Sequence, residues 1–198
     1  MLPRQGGRSR RIEMTPFIDD ILNLLDPDRD GVPAREAAHG IEELEPAAIP
    51  EPYRSLLVHE RDMTGTLGTF WKSRIELRPL LVTQQKQILY RRVVLLAVEL
   101  GIPVEAGAIR IFLERFPPQS LQAIIQNQRP LGAILTDYQI DYRSSPQGYF
   151  RIRTNGFLRE AFGDVDESIH YGRRNRLLDP AGEVLAEVVE ILPVVEAR

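Results

Sequence analysis

The residues of this chain best suited to chemistry lie in its last third. Gly172-Arg173-Arg174-Asn175-Arg176-Leu177-Leu178 leads into a turn at Asp179-Pro180-Ala181-Gly182, and then into Glu183-Val184-Leu185-Ala186-Glu187-Val188-Val189-Glu190-Ile191-Leu192-Pro193. This reads as a basic strand, a Pro/Gly turn and a β-branched return strand that sets one acid among apolar residues. A carboxylate in such a place is costly unless it is paired, hydrogen-bonded or used for chemistry. On a strand over Ala186 to Leu192, Val188 and Leu192 share the face of Glu190, while Glu187, Val189 and Ile191 take the other. Such surroundings suit a general acid or the partner of a ligand hydroxyl. They equally suit an edge-strand charge that deters aggregation.

Cations able to meet an acid or an anionic ligand recur along the chain. Arg91 and Arg92 lie inside Gln87 to Leu96, a run of strong strand formers. Successive strand side chains point to opposite faces, so one of the two arginines faces the interior, where it needs an acid, carbonyls or an anionic ligand. A solvent-facing Arg91 with Arg92 paired to a buried acid is the plain structural alternative. Pro130-Leu131-Gly132 opens a helix whose free backbone N–H groups can receive a carboxylate, although any helix can begin with proline. Arg173, Arg174 and Arg176 fit either a solvated face or a phosphate-binding patch.

The bulk properties narrow the choices. A net charge of −3 over 198 residues offers no general attraction to nucleic acid or acidic membranes, so an anionic partner needs a local cationic pocket. The arginine run has no interleaved aromatics, which also weighs against nucleic acid. Cysteine is absent, which excludes disulfides, thiolate nucleophiles and sulfur metal sites. His39, His59 and His170 form no metal-spaced pair, and no metal is expected. Asp26-Pro27-Asp28-Arg29-Asp30-Gly31 has the first half of a calcium loop, but Ala37 stands where the last acid belongs, so it reads as a turn. The longest apolar stretch, Val93 to Val98, is too short to span a bilayer, and the basic N-terminus lacks an apolar signal core. A cytoplasmic chain is expected.

This length suits one domain plus a terminal extension. Residues 1–50 read as the extension, with a basic tail and partly helical, and residues 51–198 as the compact domain. Thr15 caps a predicted helix from Pro16 to Leu25, Ala34 to Glu45 reads as a second helix, and Pro46 to Pro52 as a connector. Tyr53 to Glu60 is predicted helical. Arg61 to Trp71, with three threonines and two glycines, favours extended or turning backbone. Strands are predicted at Ser73 to Leu81, Gln87 to Val98, Val104 to Leu113, Tyr138 to Tyr142, Gly148 to Arg153, Ile169 to Leu178 and Glu183 to Leu192. A helix opens at Pro117-Pro118-Gln119 and runs through Asn127, and a short one covers Ala133 to Leu135. Consecutive hairpin-like strands flanked by helices give an α+β fold on a mainly antiparallel sheet.

In this order, Asp62-Met63-Thr64, Leu89-Tyr90-Arg91-Arg92-Val93-Val94-Leu95-Leu96, Arg129-Pro130-Leu131-Gly132, Gly172-Arg173-Arg174-Asn175-Arg176-Leu177 and Glu190-Ile191-Leu192-Pro193 resemble the chorismate pyruvate-lyase family. The resemblance runs from about Arg61 to Pro193 and leaves residues 1–50 uncovered. It implies a chorismate-lyase-like sheet flanked by helices, with no metal or organic cofactor. Residue by residue, it implies that Arg92 binds a ligand carboxylate and that the Leu131 amide, beside Gly132, holds a carboxylate. It makes Met63 a lid over the bound ring and Glu190 the acid near the ligand's hydroxyl. Two departures stand out. A second arginine expected just after Ala106-Gly107 is replaced by Ala108, with Arg110 two residues on as a substitute. The interval from Gly172 to Glu190 requires a turn insertion near Asp179-Pro180-Ala181-Gly182, without which Val189 would take the acid position.

The function so implied is a cofactor-independent lyase that converts chorismate to 4-hydroxybenzoate and pyruvate. Arg92 and Glu190 would be catalytic, and Leu131, Gly132, Met63 and Arg110 would bind a small dianionic substrate. The competing expectation is a non-catalytic module on the same fold that binds an aromatic carboxylate.

Overall fold

The computed structural model describes residues 16–25, 40–163 and 166–195. Along the chain these form α1 (Pro16–Leu25), β1 (Ile41–Leu44), α2 (Tyr53–Leu57), α3 (Met63–Trp71), β2 (Ile75–Gln85), β3 (Ile88–Ala97), β4 (Ile102–Phe112), α4 (Pro118–Ile125), α5 (Leu131–Asp137), β5 (Arg143–Arg153), α6 (Gly156–Phe162), β6 (Ile169–Leu178) and β7 (Val184–Ile191). The strands make one sheet in the order β1-β5-β6-β7-β4-β3-β2, and every neighbouring pair is antiparallel. This is the α+β architecture expected from the sequence.

The two faces of the sheet are covered differently. On one face, Tyr90, Val94, Ala106, Phe150, Val189 and Ile191 pack against Ile21, Leu24 and Leu25 of α1 and Leu158 and Ala161 of α6. On the other face lie two separate clusters. One gathers Leu89, Ile109, Ile111 and Leu177 under Ile124 of α4 and Ile134 and Leu135 of α5. The other gathers Leu95, Ala97 and Leu192 under Leu56 and Leu57 of α2 and Met63 and Leu67 of α3. Because β3 and β4 are covered on both sides, they are apolar almost throughout.

Several elements differ from expectation. The segment expected to be extended or turning is helical over residues 63–71: it forms α3, whose first turn is capped by the Asp62 carboxylate accepting the Gly65 N–H at 3.0 Å. Met63 and Leu67, one turn apart, bury against the sheet, and this cap and burial outweigh the weak helix propensity of the threonines and glycines. The helix expected over Ala34 to Glu45 is replaced over residues 41–44 by β1, because Ile41 joins the core beneath α1 and Glu42 pairs with Arg151 of β5 at 2.7 Å. Residues 138–142 are not a strand, and β5 begins at Arg143. The helix α6 was not anticipated; Asn155 caps it by accepting the Leu158 N–H at 3.0 Å. Thr15, the calcium-like loop from Asp26 and the first part of the second expected helix lie outside the described residues. Residues of α1 and β1 share a core with strands that follow residue 50.

Candidate functional site

A cavity of about 80 Å³ opens at the seam between the two clusters on the α2–α5 side of the sheet. Its floor comes from four adjacent strands: Arg91, Val93 and Leu95 of β3, Glu105, Gly107 and Ile109 of β4, Val188 and Glu190 of β7, and Asn175 and Leu177 of β6. Its roof is Asp62 and Met63 at the start of α3 and Pro130, Leu131 and Gly132 at the start of α5, with Tyr142 and Ser144 at the side. The volume is far above the roughly 10–15 Å³ that one water needs and below the roughly 300–1,000 Å³ of drug-sized sites. It suits a compact ligand.

Arg91 is the cation of this cavity. It is 1% exposed, its Nη1 reaches only Asn127 Oδ1 at 3.5 Å, and its Nε has no partner among the described residues. Burial lowers its pKa to about 10, so it stays charged at neutral pH. A buried guanidinium this poorly matched is costly unless an anion arrives.

Glu190 faces the cavity, while Val189 packs in the core on the opposite side, as the alternation along β7 requires. The turn around Asp179 to Gly182 closes the hairpin, with Gly182 N–H donating to Asp179 O at 3.0 Å. Directly opposite Glu190 on β6 is Arg173, fully buried, whose Nε donates to the Glu190 carboxylate. Arg173 Nη1 also donates to the carbonyls of Leu57 at 3.1 Å and His59 at 2.9 Å, tying β6 to the end of α2.

Glu105 is the second buried acid of the cavity, 4% exposed, and its Oε2 has no partner among the described residues. Burial, and next to it the charge of Glu190, holds its carboxyl well above the usual carboxylate range. Its neutral form is therefore favoured over the charged one.

Two expected site residues are elsewhere. Arg92 does not line the cavity; its guanidinium lies 5.7 Å from the centre of the Phe157 ring on the α1–α6 side. The strand phase puts Arg91, not Arg92, on the cavity face. Arg110 is likewise on the α1–α6 side and pairs with Glu187 at 3.5 Å. Arg174 and Arg176 reach the same carboxylate at 3.5 and 3.2 Å, which accounts for most of the basic run as a charge cluster around one acid. Glu190, Leu131, Gly132 and Met63 are brought together around the cavity; Arg92 and Arg110 are not. Arg91, Glu105, Asp62, Tyr142 and Asn175 complete it. Of these, Glu105 carried a readable signal, an acid within the apolar run Val104-Glu105-Ala106.

No protein-family model and no curated protein matches the sequence. Among solved structures, PhnF from Mycobacterium smegmatis is similar at 10% identity, covering 71% of this chain and 71% of that chain with a TM-score of 0.54. The effector domain of PhnF alone is similar at 11% identity, over 69% of this chain and 95% of that one, also with a TM-score of 0.54. The fold is chorismate-lyase-like. A GntR-family transcriptional regulator from Bacillus cereus is similar at 8% identity, over 64% of this chain and 99% of that chain, with a TM-score of 0.45. The two likenesses to PhnF, at 10% and 11% identity, speak for the chorismate-lyase-like fold alone. They leave function to be argued from the cavity.

Proposed function

We propose that this chain is a small-molecule binding domain whose ligand is a compact, largely apolar carboxylate, held without chemical change. The observation that carries this is Arg91: a buried, poorly partnered guanidinium in a cavity walled by Val93, Leu95, Ile109, Leu131, Leu177 and Val188. A planar carboxylate would answer the guanidinium in the geometry the two groups share, and the walls would take an apolar body such as a ring. Met63 and the Pro130–Gly132 tip would close over that ring. The likeness of fold to the effector domain of PhnF supports a binding role.

The lyase reading keeps one supporting observation, an acid and an arginine in the same cavity. Its arginine is then Arg91. Its acid is weakened as a proton carrier, because Glu190 is already committed to Arg173.

Titration calorimetry with benzoate and 4-hydroxybenzoate, alongside a pyruvate assay with chorismate, tests the proposal. Binding with no pyruvate release is the expected result. Pyruvate release that Glu190→Gln abolishes would replace the binding role with the lyase.

A further inference from the structure

Glu105 is a buried acid to which neither the fold nor the carboxylate site gives work. On β4 it lies four residues before Ile109, the residue level with Arg91. Four residues of strand set the two backbones about 13 Å apart along the sheet, so Glu105 and Arg91 mark opposite ends of the cavity floor. Between them is Gly107, where a Cβ would lie 2.8 Å from the Val189 carbonyl oxygen and 3.3 Å from Glu105 Oε1. The missing side chain leaves the space into which the Glu105 carboxyl bends back over the floor.

The acidic end has more negative groups. Glu190 is level with Gly107. Asp62 hangs from the roof, its carboxylate 3.2 Å from where a Cβ on Gly132 would be. Arg173 answers Glu190, and the Gly65 N–H answers Asp62. Glu105 Oε2 is answered by nothing among the described residues. The cavity therefore holds two unsatisfied buried groups of opposite chemical sense, the Arg91 Nε–H and the Glu105 carboxyl.

We propose that the ligand is amphoteric, with its carboxylate on Arg91 and a protonated amine on Glu105. This rests on the carboxylate-binding reading above and narrows its substrate class. In the empty cavity burial, and next to it the charge of Glu190, disfavour the ionised form of Glu105. An arriving ammonium brings the compensating charge and draws Glu105 towards its ionised form, so binding of the zwitterion is accompanied by proton release to solvent. A dianion would instead set a second carboxylate among Glu105, Glu190 and Asp62, which argues against the dianionic substrate implied by the lyase resemblance.

The test is titration calorimetry of the full chain with four probes: benzoate, 4-(aminomethyl)benzoate, 5-aminopentanoate and terephthalate. At least one zwitterion is expected to bind on the order of tenfold more tightly than benzoate, the size of one charge-assisted hydrogen bond. Its heat should vary with buffer ionisation enthalpy in the sense of proton release, and terephthalate should bind more weakly than benzoate. Whichever zwitterion wins identifies a ring or a chain as the ligand body. In Glu105→Gln the advantage of the zwitterion over benzoate should vanish. Benzoate binding with no zwitterion advantage, terephthalate binding best, or an advantage that survives Glu105→Gln would each overturn the amphoteric ligand while leaving the carboxylate site intact. No binding of any probe would overturn both.

Discussion

Arg173 and Glu190 stand directly opposite each other on β6 and β7, and their side chains form an ion pair that is almost wholly removed from solvent. The pair sits at the edge of the cavity, so one of the two buried acids there is neutralised by the protein itself. The same arginine holds the end of α2 through the Leu57 and His59 carbonyls, which makes it a structural rivet beside the cavity.

Breaking that pair from the arginine side should be severe. Arg173→Ala leaves Glu190 buried without its cation and is expected to cost about 3–5 kcal/mol. Urea denaturation measures it. Adding Glu190→Leu to the same chain should return much of the loss, because the stranded charge is then gone.

Glu105 should make stability fall as pH rises. Its carboxyl is held above its unfolded value, so the folded chain binds the proton more firmly than the unfolded one. The folded state is favoured most below the unfolded pKa of about 4.3 and loses that advantage as pH climbs towards the raised value. Around it face Glu190 of β7, Arg173 of β6 and Asp62 before α3, and the nearby carboxylates reinforce the direction. Glu105→Gln is expected to flatten this slope and to raise Tm at pH 8 by about 3 °C, which corresponds to roughly 1 kcal/mol in a domain of this size. A melting series from about pH 5 to about pH 8 compares the two proteins.

Arg91 and Arg92 should part company. Arg91→Met removes the cavity cation and is expected to abolish benzoate binding while leaving the chain as stable or more so, since a poorly matched buried charge becomes an apolar side chain. Arg92→Met, on the far side of the sheet, should keep benzoate affinity within about twofold, as expected for a residue that touches no part of the site. Calorimetry and thermal melts on both variants decide the assignment.

Gly172 should tolerate no side chain. A Cβ there would lie 2.6 Å from the Glu190 carbonyl oxygen and 2.6 Å from the Phe150 ring. Gly172→Ala is expected to cost about 1–3 kcal/mol by overpacking, and to disturb the strand that carries Glu190. Denaturant unfolding reads the first effect and benzoate affinity the second.

Glu190 was legible because β7 mixes charged and apolar residues, and the alternation of Val188, Glu190 and Leu192 against Glu187, Val189 and Ile191 fixes its face. The phase of β3 was not legible. Ile88 to Ala97 is covered on both sides and is apolar at nearly every position, so two adjacent arginines offered no pattern to say which one faced the helices of α2–α5. The resemblance supplied Arg92, and the register with β4 selects Arg91. Arg110 followed the same logic, its true partner being Glu187, far away in sequence. The helix α3 was hidden for another reason: its stability comes from one cap and two buried side chains, which composition does not reveal. Glu105 obeyed the rule that had picked out Glu190 and was within reach of sequence alone.

A protein that keeps a poorly partnered guanidinium buried in its cavity is least comfortable when that cavity is empty. Whatever small acid fills that space repays the discomfort in proportion to its free concentration, and β3 and β4, the strands that carry Arg91 and Glu105, should open less often once it is there. Susceptibility to proteolysis would then track supply of the acid, so the lifetime of the chain would itself register how much of it is around.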